Sequence, residues 1–74
     1  MFIKSNLTGL DYNTKDVVRI VNPKQRDLYL LNDIMPKDIY TSIDDKTEEK
    51  ILVYIFAMDD TREAYKKWRA YELK

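Results

Sequence analysis

Ile51-Leu52-Val53-Tyr54-Ile55-Phe56-Ala57-Met58 is the stretch whose reading decides the fold. It is an unbroken apolar and aromatic run, rich in β-branched residues, and such a run reads as a strand. Its lack of alternation predicts that both faces are covered, and in a chain of 74 residues only a central strand meets that condition. Asp59-Asp60-Thr61-Arg62-Glu63 follows directly and opens a helix on which Thr61, Ala64, Tyr65, Trp68 and Tyr71 share one stripe. Asp60 with Glu63 three residues later has the spacing of a capping box, with Asp in place of Ser or Thr. The aromatic stripe supplies one cover. The Tyr54/Phe56 and Val53/Ile55 faces point to opposite sides, so the other must be covered by the first helix, the N-terminal segment or a partner.

Upstream, Asp38 to Ile43 alternates, with Ile39, Thr41 and Ile43 on one face and Tyr40 and Ser42 on the other. That is the pattern of a half-buried strand. The polar link Asp44 to Lys50 suits a turn between antiparallel strands. Val17 to Val21 is a second short β-branched strand, stopped by Asn22-Pro23, where Asn22 can cap a helix and Pro23 suits its first position. The helix is expected from Pro23 to about Leu31, with Leu28 and Leu31 on one face and Gln25 and Asn32 beside them. Asn32 or Asp33 can adopt the left-handed conformation that ends it, and Pro36 prevents its resumption. Phe2 and Ile3 could start a short edge strand, whereas Asn6 to Thr14, with the single glycine Gly9, reads as a loop. The expectation is one α+β domain over residues 1–74, ordered β-α-β-β-α. It has a small, mostly antiparallel three-stranded sheet, two helices and room for an extra N-terminal strand.

Composition narrows the chemistry. The chain has neither Cys nor His, which excludes disulfides and the common zinc, copper and iron ligand sets. Core stability must come from six tyrosines, two phenylalanines and one tryptophan, or from a partner. Thirteen basic and thirteen acidic side chains cancel, which argues against strong phosphate-driven binding and against a global nucleic-acid mimic. No run has the length of a signal sequence or the ~20 apolar residues of a membrane span.

Asp44, Asp45, Glu48 and Glu49 superficially suggest a calcium loop, but the required glycine is missing and Lys46 and Lys50 interrupt it. A solvated hairpin tip is the better reading. Asp59 and Asp60 lie at the other end of the strand, about 25 Å away at ~3.3 Å per residue, and helix capping accounts for them. Ser5 and Ser42 sit in no nucleophile motif, and one glycine cannot build a phosphate-cradling loop. The expectation is a non-enzymatic protein without cofactor or metal.

Three binding readings remain. Tyr12, Tyr29, Tyr40 and Tyr71 exceed the needs of so small a core, and tyrosine is favoured at protein interfaces. Core packing is the plainer account of any one of them. Arg62, Lys66, Lys67 and Arg69 lie on the polar side of the last helix, where they could meet a DNA backbone; a solvated surface, with basic residues towards the helix C-terminus and no net charge, is the plainer account. A third reading is self-association through an uncovered sheet face.

Asn22-Pro23-Lys24-Gln25, Leu28-Tyr29, Asn32-Asp33, Asp38-Ile39-Tyr40, Val53-Tyr54-Ile55-Phe56 and Tyr65-Lys66-Lys67-Trp68 with Tyr71-Glu72-Leu73 occur in a familiar order. Over residues 16–74 the chain resembles a small uncharacterised family from phages and mobile elements of Gram-positive bacteria. That family has a capped helix ending in Asn-Gly, a hairpin whose second strand ends in Phe, and a closing helix with Trp. Asp33 stands where the pattern has glycine. The resemblance implies no activity and no catalytic residues. It implies a compact protein acting in the cytoplasm of a bacterial host by binding a host protein, for instance one of host defence.

Overall fold

The computed structural model describes residues 1–74. Its elements are β1 (Phe2–Lys4), β2 (Asp11–Asn13), a 3₁₀ turn (Thr14–Asp16), β3 (Val17–Ile20), α1 (Pro23–Leu31), β4 (Asp38–Ile43), β5 (Lys50–Ala57) and α2 (Met58–Arg69). The fold is α+β, with a three-stranded antiparallel sheet in the order β3-β5-β4 and a separate β1–β2 hairpin. The apolar run is the central strand.

Its two faces have different covers. Tyr54 and Phe56 lie on the side that packs against both helices, where Tyr29 from α1 and Ala64 from α2 join Phe56 and Ile20 in one core cluster. Tyr29 meets Phe56 edge-on at 5.3 Å between ring centroids, a favourable aromatic geometry. Val53 and Ile55 lie on the opposite side and pack with Tyr12 of the N-terminal hairpin, flanked by Val17, Tyr40 and Ile51. The N-terminal segment is therefore the second cover.

Local chemistry explains most boundaries. Asn22 accepts hydrogen bonds from the Lys24 and Gln25 amides, and Pro23 begins α1. Asp33 takes the left-handed conformation after it, at φ 63°, which is the conformation glycine holds most easily. Asp44 Oδ1 accepts from the Lys46 and Thr47 amides and so shapes the β4–β5 turn.

Four expectations are corrected. Residues 6–14 are not simply loop: Asp11–Asn13 pair with Phe2–Lys4, and Ser5 Oγ accepts from the Leu7 and Thr8 amides to form the intervening turn. The inward face of α1 is Gln25 and Tyr29, not Leu28 and Leu31; Leu31 is 76% exposed. α2 has no capping box. β5 runs into it without a linker, so the helix begins at Met58, and Asp59 and Asp60 lie inside its first turn, where they complement the helix dipole. Finally, the stripe of α2 faces the sheet through its small members and not through its aromatic ones, of which only Trp68 is half-buried. Small Thr61 and Ala64 face the sheet, Tyr65 is largely exposed, and Tyr71 falls beyond the helix end.

Candidate binding surface

β3 lies at the edge of the sheet between two open clefts, one on each face. On the helix side, a cleft of about 560 Å³ is lined by Val18 and Ile20 of β3, Gln25 and Tyr29 of α1, and Thr61 and Tyr65 of α2, among others. Arg19, Arg62 and Lys66 also line it, and no acidic residue does. Its apolar floor follows from the sheet alternation, since Val18 and Ile20 share the face of Phe56 and Tyr54. On the hairpin side, a cleft of about 490 Å³ is bounded by Ile3, Tyr12, Val17, Tyr40 and Ile55, with Lys4, Arg19 and Asp38 as its charged members. Arg19 belongs to both.

Asp38 organises the hairpin side. Although only 2% exposed, its carboxylate accepts from the Asn6 amide at 2.9 Å, the Ile39 amide at 2.9 Å, the Tyr12 hydroxyl at 2.8 Å and more weakly the Ser5 hydroxyl at 3.4 Å. Ser5 also donates to the Lys37 carbonyl. A buried carboxylate without a cation is tolerable when its lone pairs are taken up in this way. Burial, with the hydrogen bond to Asp38 and its negative charge, pushes the Tyr12 hydroxyl up to about 12. Burial also raises the Tyr29 hydroxyl, against the opposing effect of the hydrogen bond it accepts from Gln25 Nε2.

The four tyrosines singled out in the sequence do not form one surface. Tyr12 is buried and held by Asp38, while Tyr29 is fully buried in the helix-side core, so neither projects from the surface and each contributes only to the wall of a cleft. Tyr40 is half-buried in the hairpin-side cleft. Tyr71 is 95% exposed at φ 59°, alone on the C-terminal tail.

The basic quartet is also divided. Arg62 donates to Asp59 at 2.9 Å, Lys66 lies 3.9 Å from Glu63, and Arg69 donates to the Tyr65 hydroxyl with its guanidinium 5.9 Å from the ring centre. Lys67 has no such partner on the helix. Only Arg62 and Lys66 line a cleft, joined there by Arg19.

Arg19, Tyr65 and Asp38 are the site residues that sequence reasoning missed. Arg19 was visible as the single charge within Val17–Val21. Nothing local marked its strand as an edge. No family model, curated protein or solved structure matches the chain.

Proposed function

We propose that this chain is a non-enzymatic protein-binding module of phage or mobile-element origin. It acts in the cytoplasm of a bacterial host, by inhibiting a defence or regulatory protein. The observation that carries the reading is the helix-side cleft, in which an aromatic and aliphatic floor sits inside a rim of Arg19, Arg62 and Lys66. Apolar floors with arginine and tyrosine at the margin are the composition of protein-interface hot spots. The test is affinity capture from a Gram-positive host lysate with the wild-type chain and with Tyr65→Ala/Arg62→Glu. A protein retained by the first and lost by the second is expected. Identical captures from both would remove the cleft as the binding site.

Duplex DNA is the second reading, favoured by Arg62 and Lys66 lining one cleft with Arg19 at its sheet edge. The ion pairs of Arg62 and Lys66 and the zero net charge weigh against it. Salt-dependent retention of duplex DNA, abolished by reversing Lys66 and Lys67, would put it first.

A further inference from the structure

β3 pairs with β5 on one side only. In an antiparallel ladder alternate residues turn their N–H and C=O groups away from the partner strand, so an edge strand carries free main-chain donors and acceptors. None of the main-chain hydrogen bonds outside the helices and strands involves Val17 to Ile20. The start of the opposite edge is closed: the Lys37 carbonyl accepts from Ser5, and the Asp38 side chain takes the Asn6 amide. The N-terminal segment thus crowds the start of β4, whereas β3 is open along its whole length.

A strand added to an open edge projects its side chains alternately to the two faces of the sheet. At β3 each face already holds a cleft, and Arg19 borders both. We propose that β3 accepts an extended acidic segment of a partner protein as a fourth strand, whose alternate side chains enter these two clefts. This rests on the protein-binding reading and specifies the chemistry of the partner.

Charge favours that occupant along Val18 to Ile20, whereas Asp16, Asp59 and Asp60 border the start of the strand at Val17. Lys4, Arg19, Arg62 and Lys66 surround the two clefts, and the one acidic lining residue, Asp38, is already occupied by its own donors. Asp59 and Glu63 face Arg62 and Lys66 from the outer surface of α2, and their side chains are 88% and 83% exposed. Such exposed pairs hold weakly, so a carboxylate desolvated inside the cleft competes effectively for the same cations. A second copy of the chain fits less well. Antiparallel pairing of β3 with itself brings two Arg19 side chains into direct or diagonal cross-strand reach, where like charges repel.

The probe is a short fluorescein-labelled peptide of alternating glutamate and valine, followed by fluorescence anisotropy against the full chain. Saturable binding is expected that weakens as salt is raised. It should fall about tenfold or more, a difference of about 1.4 kcal/mol, in three comparisons. These are a lysine-for-glutamate peptide, a peptide N-methylated at two adjacent central residues (which blocks both of its edges), and the Arg62→Glu/Lys66→Glu protein. Circular dichroism establishes that the variant remains folded, and the methylated peptide tests main-chain pairing without altering the protein. No saturable binding of the glutamate peptide, or equal binding of the methylated one, would overturn the proposal. So would a dimer in sedimentation that the peptide does not dissociate, since a second copy would then occupy the edge. A captured host protein that depends on Arg62, together with no peptide binding, would leave the protein-binding reading standing and remove strand addition alone.

Discussion

Asp38 carries more of the fold than any other polar residue. Its oxygens join Ser5, Asn6 and Tyr12 of the N-terminal segment to the first residue of β4. Asp38→Ala would leave the Asn6 amide and the Tyr12 hydroxyl unpaired in a buried place, and a loss of about 3 kcal/mol in urea denaturation is expected. Tyr12→Phe should cost about 1 kcal/mol at neutral pH and also change the alkaline limb of stability. The Tyr12 hydroxyl is raised from 10.0 to about 12 by burial and Asp38, so the unfolded chain loses this proton first. The stabilising contribution is therefore complete below pH 10 and is lost as the pH rises from 10 to about 12. Denaturation across that window should show a smaller decline for Tyr12→Phe than for wild type; equal declines would assign the effect to Tyr29. Tyr71 and Asp33 make the opposite case, since both hold left-handed backbone. Tyr71→Gly should raise the melting temperature, by a stabilisation of about 1 kcal/mol. Asp33 was legible as a helix-ending residue because the signal is local. Asp38 was not, because its hairpin donors lie 26 to 33 residues away and no neighbour announces them.

At the scale of elements, legibility followed the range of the interaction that sets each boundary. The limits of α1 and β4 agree with the sequence reading because Asn22-Pro23 and the alternation from Asp38 are nearest-neighbour signals. Asn22→Ala should cost about 1 kcal/mol in chemical denaturation, as one side chain caps two amides of α1. The start of α2 differs because the Asp60–Glu63 spacing places the cap at Asp60, whereas the helix already begins at Met58 with Ala57 in the cap position. The inward face of α1 was misjudged because its pattern is weakly amphipathic. Tyr29 with Gln25 beneath it can fill the space beside Phe56, and the leucines are left at the margin. The β1–β2 hairpin was half legible: its strands are three residues each, too short for periodicity to register.

The whole molecule is a slab of 31 × 30 × 19 Å, with β5 in the middle, helices on one side and a hairpin on the other. Because both covers rest on the same strand, unfolding should be a single cooperative event. Far-ultraviolet dichroism and aromatic fluorescence should give coincident denaturant transitions; an early fluorescence change would mean that the hairpin leaves independently. Removing residues 1–13 should expose Val53 and Ile55 and give a chain that aggregates or binds a hydrophobic dye.

The sequence by itself determined the class of the fold, the central place of residues 51–58, the Asn22 cap of α1 and the link from Asp44 to Lys50, and the absence of thiol and imidazole chemistry. Each rests on residue type or on short-range periodicity. Only the tertiary structure decided what covers the Val53/Ile55 face, which tyrosines are buried, and that β3 stands at an edge of the sheet between two clefts. Those depend on contacts between distant segments, and burial of a side chain is a property of the packed whole. The apolar run required two covers; long-range packing assigned them, and by doing so left β3 and its cationic clefts exposed.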